Sequence, residues 1–148
     1  MTPSLLCETV TGDTMAELIA ARERAFAADL VADMVELRLD GVGDLDVAQA
    51  LHGRRAPVIV TCRPVWEGGR FDGSEDQRCA LLTRALGLGA EYVDVEWRAL
   101  RPFESLRVAP SQVEGRHAQG GTGFDDLVRA NGPRVVVSSH DFAGVPDD

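Results

Sequence analysis

Short runs of β-branched and aliphatic residues alternate with stretches of helical spacing along the chain. Five of the apolar runs have the length and composition of strands, and they cover residues 4–10, 34–39, 58–63, 92–96 and 135–140. Strands that alternate with helices are typical of βαβ units, in which successive strands lie parallel in one sheet. The pattern therefore predicts an α/β protein.

Helix signals lie between several of these runs. Thr14 and Glu17 have the capping-box spacing, in which a hydroxyl and a carboxylate satisfy the first free backbone amides of a helix. The side chains that this helix should direct towards a core are Leu18, Ile19, Ala25 and Phe26. Two further helices are predicted over residues 75–88 and 124–130. The rest of the stretch 101–133 has no clear pattern, which is unusual inside a compact domain.

Polar side chains share one face of four predicted strands. Because side chains alternate across a strand, Glu36 and Arg38 lie on the face opposite Val35 and Leu37. The same polar face carries Thr61, Arg63, Asp94, Glu96, Ser138 and His140. A closed (β/α)8 barrel places such residues at the carboxyl ends of its strands, where they line the active site. The alternative is that they are solvated residues of half-exposed strands or isolated internal ion pairs.

The charge and the length of the chain limit the classes of function that it can have. The 148 residues include 15 basic and 24 acidic ones, with a net charge of −9, which argues against binding to nucleic acid or an anionic membrane. No apolar run approaches the roughly 20 residues of a membrane helix, and no targeting signal is evident. We therefore expect one domain, residues 1–148, located in the cytoplasm and acting on a small solute. All 15 basic residues are arginine, so the chain offers no lysine amine.

The polar face suggests an anionic, hydroxylated ligand. Arg38 and Arg63 are permanent cations whose planar forks suit a carboxylate, and Glu36 could either hold one of them or accept ligand hydroxyls. His140 could exchange protons near neutral pH if another group orients its ring. A lone strand histidine is more often structural, but its place beside the polar residues favours a catalytic role.

The segment 63–73 is a candidate active-site loop, because it follows the third strand and is rich in glycine and charge. Glu67 could fold back from it towards a neighbouring site, although a solvated surface turn is the alternative. No nucleotide-binding motif is present. The three cysteines have no CxxC pairing, which favours buried free thiols over metal ligands or disulfides at Cys7, Cys62 and Cys79.

Four segments together resemble type I 3-dehydroquinate dehydratase. They are Val-Glu-Leu-Arg-Leu-Asp at 35–40, Thr-Cys-Arg-Pro-Val-Trp-Glu-Gly-Gly at 61–69, Ala-Glu-Tyr-Val-Asp-Val-Glu at 90–96 and Ser-Ser-His-Asp-Phe at 138–142. The loop at 61–69 is most similar to the dehydratase half of plant-type bifunctional dehydratase and shikimate dehydrogenase proteins. The resemblance covers nearly the whole chain and is weakest over 101–133.

The resemblance implies a TIM barrel and a shikimate-pathway lyase that converts 3-dehydroquinate to 3-dehydroshikimate and water. It implies no metal and no organic cofactor, because a lysine of the family forms an imine with the substrate ketone. By motif match, His140 would be the general acid and base, and Glu67 would orient it. Glu36, Arg38 and Arg63 would bind the hydroxyl and carboxylate groups of the substrate.

The chain departs from the family pattern because it lacks the lysine that forms the imine in the family. In the family the lysine lies on the strand after the histidine strand, and five βα units cannot close an eight-stranded barrel. We therefore expect an incomplete barrel that keeps the binding and proton-transfer half of the site and does not form an imine alone. The alternatives are a non-catalytic ligand-binding module and a decayed remnant. A homo-oligomer or a missing C-terminal half could cover the open sheet edges.

Overall fold

The computed structural model describes residues 4–26, 32–100 and 123–140 of the chain. Its five strands are β1 (Cys7–Val10), β2 (Met34–Arg38), β3 (Val58–Thr61), β4 (Tyr92–Glu96) and β5 (Val135–Ser138). Its four helices are α1 (Met15–Arg24), α2 (Val47–Leu51), α3 (Glu75–Gly87) and α4 (Gly123–Asn131). Short 3-10 helices cover Val65–Glu67, Trp97–Leu100 and Gly132–Arg134. The alternation of strands and helices confirms the α/β prediction.

The five strands form one parallel sheet in the order β1-β2-β3-β4-β5, so each strand pairs with the next one along the chain. In this register Glu36 lies between Thr9 of β1 and Ile59 of β3, and Glu96 lies beside Ser138 of β5. All five strands point the same way, and their carboxyl ends therefore meet at one end of the sheet.

Side-chain caps determine where the helices begin. The predicted capping box of Thr14 and Glu17 starts α1, and a second one, formed by Ser74 and Gln77, starts α3. The sequence reading missed α2, which has only five residues; it begins where the Asp46 carboxylate accepts the amides of Ala48 and Gln49 (2.9 and 3.3 Å). The helices at 75–88 and 124–130 are confirmed to within one residue at each end.

Four strands are shorter than predicted, and β2 differs only at its last residue, since it ends at Arg38 rather than at residue 39. β1 begins at Cys7 rather than at residue 4, because its ladder partner begins only at Met34. β3 ends at Thr61 because the next ladder donor, the Arg63 amide, bonds instead to the Asp40 carboxylate (3.2 Å). β5 likewise ends at Ser138, two residues before the predicted end.

The apolar sheet face and the helices enclose the core. Val35, Leu37, Val60 and Val93 are fully buried, and Leu18 of α1 packs with them as expected. Burial of aliphatic surface on this scale is the main stabilising contribution to folding. The other face of the sheet is left to polar side chains at the carboxyl ends of the strands.

The prediction for the cysteines holds at two of the three positions. Cys7, Cys62 and Cys79 are free thiols, but Cys7 is exposed, so the prediction of burial was wrong there. It lies at the start of β1, on an edge strand of the sheet.

The patternless residues 101–122 and the last two positions of the 138–142 segment lie outside the described residues. No helix within the described ranges is long and apolar enough to cross a membrane.

Candidate active site

The polar face predicted from the sequence exists, and half of its eight residues are buried rather than solvated. Glu96 is fully buried, and only 3% of Asp94 and 5% of Arg63 are exposed. Charged groups with so little exposure must be paired or hydrogen-bonded, because an isolated buried charge is very costly. Their partners therefore define the architecture of the site.

Arg63 connects β4 with β5. Its Nη2 lies 2.8 Å from Asp94 Oδ2, and its Nη1 lies 3.1 Å from Glu96 Oε1 and donates to Ser138 Oγ at 2.9 Å. Ser138 Oγ in turn donates to Asp94 Oδ2 at 2.9 Å. Both terminal nitrogens of Arg63 are thus occupied by groups of the chain itself.

Arg78 of α3 approaches the same cluster from the helix side. Its Nη1 donates to Glu96 Oε2, and its Nη2 lies 2.6 Å from Glu75 Oε2. Its guanidinium carbon also lies 4.5 Å from the centre of the Phe124 ring, within the range of a cation–π contact. Glu96 is therefore held between two arginines. The sequence reading assigned Arg78 no role, although its spacing to Leu82 places it on the buried face of α3.

Glu36 is held by hydroxyl groups on both neighbouring strands. Thr9 Oγ1 donates to its Oε2 at 2.7 Å, and Thr61 Oγ1 donates to its Oε1 at 2.6 Å. The register places Thr9 directly beside Glu36, whereas Thr61 pairs with Arg38 and reaches Glu36 diagonally across the strands. Two neutral hydroxyl donors therefore hold the Glu36 side chain in place.

Arg38 is paired with Asp40 two residues further along the chain. Its Nε and Nη2 donate to the two oxygens of Asp40 at 2.8 and 2.9 Å, and a quarter of its side chain is exposed. Among the described residues its Nη1 has no hydrogen-bond acceptor. Burial alone would raise the pKa of Asp40, but its bonds to Arg38 and to two backbone amides hold that pKa below its ordinary value.

The loop after β3 brings Glu67 to His140. The His140 amide donates to Glu67 Oε1 at 2.8 Å, and the imidazole Nδ1 lies 3.7 Å from the same oxygen. Glu67 is 2% exposed although it belongs to a surface loop. Gly68 has a left-handed backbone (φ 75°) just after it, and this conformation turns the loop back. The structure thus brings these two predicted site residues together.

Burial raises the pKa values of two groups in the interior, Asp94 and Cys62. Burial raises the pKa of Asp94 despite the nearby Arg63 charge and the Ser138 hydrogen bond, and the negative charge of Glu36 raises it further. Burial also raises the pKa of the Cys62 thiol to about 12, so this group is not a nucleophile at neutral pH. Within the described ranges, no three His, Cys, Asp or Glu side chains are grouped to hold a metal ion.

Each predicted site residue therefore has a definite place. Glu67 and His140 form one unit, Arg63 belongs to the buried cluster with Asp94 and Glu96, and Glu36 and Arg38 are held separately on β2. Sequence reasoning missed Asp40, although its spacing to Arg38 puts both on one face of the chain.

A parallel sheet whose strands follow one another in chain order, with polar groups at their carboxyl ends, is typical of one class, the (β/α)-barrel proteins. The family model for "Type I 3-dehydroquinase" matches residues 6–148, and the chain belongs to this family. A solved 3-dehydroquinate dehydratase from Geobacillus kaustophilus shares the fold, with a TM-score of 0.71 and 21% identity over 98% of this chain and 53% of that one.

Relatives with curated names agree with this placement. The bifunctional 3-dehydroquinate dehydratase/shikimate dehydrogenase of Arabidopsis thaliana is 32% identical, over 97% of this chain and 21% of the relative. The 3-dehydroquinate dehydratase of Methanosarcina barkeri is 35% identical, over 81% of this chain and 46% of the relative. The chain thus spans about half the length of single-function relatives, and less of the bifunctional one.

Proposed function

We propose that this chain forms the substrate-binding and proton-transfer part of a 3-dehydroquinate dehydratase site, for conversion of 3-dehydroquinate to 3-dehydroshikimate and water. The observation that carries the proposal is the pairing of His140 with the buried Glu67 beside a polar strand-end cluster, in a chain of this family. The ligand is a hydroxylated carboxylate, which matches the mixture of arginines and carboxylates at this end of the sheet.

His140 is the proposed general acid and base. It would take a proton from the carbon next to the substrate carbonyl and deliver a proton to the departing hydroxyl, which leaves as water. Glu67 would orient the residue by accepting its backbone amide, with its carboxylate also close to Nδ1. The exposed imidazole and the buried carboxylate suit this division of roles.

The proposed binding groups are Glu36, Arg38 and Arg63, and their present partners suggest what each one contacts. Arg38 donates to Asp40 through Nε and Nη2, so its Nη1 could donate to the substrate carboxylate or to a substrate hydroxyl. Arg63 is already bonded to two carboxylates that balance its charge, so its remaining N–H groups would donate to substrate hydroxyls rather than to the substrate carboxylate. Glu36 would accept hydroxyl protons, since two threonines keep its oxygens in place.

In the family the imine with the substrate ketone forms on a lysine, and the 148 residues contain no lysine. We propose that the lysine belongs to polypeptide outside this sequence, either more of the same protein or a second chain. The isolated 148 residues would then bind the substrate without forming an imine.

Calorimetric titration of the purified chain with 3-dehydroquinate tests this proposal. We expect saturable binding that Arg38→Ala weakens at least about tenfold, since a hydrogen bond to a charged group is lost. The matched control is Arg55→Ala, which removes an exposed arginine paired with Glu23 and should leave binding unchanged. Equal binding by the two variants would contradict the proposed site.

Borohydride treatment with 3-dehydroquinate, followed by mass spectrometry, tests the imine. We expect no covalent adduct on the isolated chain, and an adduct would show that an imine forms without a lysine.

A chain that unfolds cooperatively in urea but binds no 3-dehydroquinate would contradict the binding role. A decayed remnant would instead unfold without cooperativity.

A further inference from the structure

We propose that Asp40 is a positioning residue of this site, and that its one carboxylate holds both Arg38 and the loop that carries Glu67. The proposal rests on the function proposed above, because that function is what requires Arg38 and Glu67 to be held in place. Asp40 itself need not touch the substrate, since its oxygens are occupied by groups of the chain.

Four hydrogen bonds converge on this carboxylate. Its Oδ1 accepts Arg38 Nε at 2.8 Å and the Arg63 amide at 3.2 Å. Its Oδ2 accepts Arg38 Nη2 at 2.9 Å and the Arg70 amide at 3.0 Å. The side chain is only 3% exposed, so water contributes little to satisfying it. One carboxylate thus joins the end of β2 to both ends of the loop after β3.

The loop is closed between those two ends. The Phe71 amide donates to the Arg63 carbonyl at 3.1 Å, and the Val65 amide donates to the Phe71 carbonyl at 3.0 Å. At Gly69 the chain passes so close to Arg63 that a Cβ atom would lie 2.1 Å from its carbonyl oxygen. The loop therefore moves as a unit, and its attachment to Asp40 decides where that unit lies.

Glu67 lies inside this closed loop and reaches His140. A shift of the loop would move the Glu67 carboxylate away from the His140 amide that it accepts at 2.8 Å. The same displacement would change the orientation of Arg38, because Arg38 Nε donates to Asp40. The binding arginine and the proton-transfer pair therefore depend on one residue that lies between them.

Asparagine cannot replace this carboxylate. An amide side chain has one acceptor oxygen, and its NH2 group would face donors that need an acceptor. In Asp40→Asn, either the Arg63 or the Arg70 amide therefore loses its partner, and Arg38 keeps at most one of its two bonds. The lowered pKa of Asp40 agrees with a group that is ionised at neutral pH.

Residue-resolved hydrogen exchange measures the positioning without any ligand. In Asp40→Asn we expect the amides of Val65, Phe71 and His140 to exchange about tenfold to a hundredfold faster, as the loss of charged hydrogen bonds implies. The amides of Val60 and Val93 in the sheet should keep their rates. A purely structural role would speed up all five amides together, and that result would overturn the proposal.

The matched control is Asp13→Asn, which removes another aspartate bonded to this loop. Asp13 Oδ1 accepts Arg70 Nη1 at 2.6 Å, but both side chains are largely exposed. We expect no change in exchange at Val65, Phe71 or His140, because an exposed ion pair adds little. Faster exchange in Asp13→Asn than in Asp40→Asn would contradict a special role for Asp40.

Titration with 3-dehydroquinate separates this proposal from the proposed function. If the parent chain binds, we expect Asp40→Asn to weaken binding at least about tenfold and Asp13→Asn to leave it unchanged. If the parent chain does not bind, the proposed function fails, and the exchange rates still decide the positioning. Unaltered loop exchange in Asp40→Asn overturns the positioning whatever the affinity.

The parent chain provides a further test should Asp40→Asn not fold. The amides of Val65, Phe71 and His140 should then open together, with one common dependence on urea, because one attachment holds them. Opening of each amide with its own urea dependence would overturn the proposal.

Discussion

Glu96 and Asp40 are both buried carboxylates that bind arginine at the same end of the sheet, yet their surroundings differ. Glu96 lies between two guanidinium groups, those of Arg63 and Arg78. Asp40 meets one guanidinium group and two backbone amides. The first is surrounded by charge, and the second is surrounded mainly by fixed dipoles.

The difference explains what each region does. Arginine side chains carry a full charge into the interior and must themselves be paired, so Glu96 belongs to a network that reaches Asp94 and Glu75. Backbone amides bring no net charge and are fixed by the path of the chain. A carboxylate that binds them therefore determines the shape of a loop, which is the property that a positioning residue needs.

The largest expected effect comes from breaking the charged network at Arg78. Arg78→Met should lower the free energy of unfolding by about 3–5 kcal/mol, because it removes one partner of a fully buried carboxylate. The measurement is urea unfolding of both chains. Replacing Glu96 by Met as well should restore part of the loss, and strictly additive losses would contradict the pairing.

The two regions should respond to pH in opposite directions. The raised pKa of Asp94 means that its contribution to stability is present below about pH 3.9 and is lost as pH rises through the higher folded-state pKa. The lowered pKa of Asp40 gives a contribution that is present above about pH 3.9 and is lost as pH falls through the folded-state pKa.

Urea unfolding from about pH 3 to about pH 7 measures this contrast. The stability of the parent chain relative to Asp94→Asn should fall as pH rises, and its stability relative to Asp40→Asn should rise. The same sign of slope for both variants would show that the two carboxylates do not differ as described.

A smaller effect is expected at the helix that carries Arg78. Ser74→Ala removes the hydroxyl that caps the Gln77 amide and should cost about 1 kcal/mol. Ser74→Asp is the control, because an aspartate can cap the same amide and should keep most of the stability. A loss as large as that of Arg78→Met would mean that the cap, rather than the ion pair, holds this region.

The sequence predicted the fold well where local patterns decide it. Alternating polarity located the strands, and the spacing of Thr14 and Glu17 located the start of α1. The strand ends were less predictable, because Asp40 takes the Arg63 amide that would otherwise continue the ladder. That replacement depends on three-dimensional proximity, and a one-dimensional pattern does not contain it.

The candidate site was predictable as a set of residues and not as a set of contacts. Polar alternation pointed to Glu36, Arg38, Arg63 and His140, all of which lie at the carboxyl ends of the strands. Their partners come from up to 75 residues away, as in the bond from Arg63 to Ser138. The role of Arg78 was not predicted, because an arginine on a helix indicates an ion pair only once the structure shows that Glu96 faces it.

The sequential order of the strands also bears on synthesis of the chain by the ribosome. Each strand pairs with the one just made, so the sheet can grow from its N-terminal side as residues emerge. Arg63, however, emerges well before the carboxylates of Asp94 and Glu96 that neutralise it. The nascent chain must therefore keep this arginine hydrated until β4 is complete, and closure of the interior has to wait for that strand.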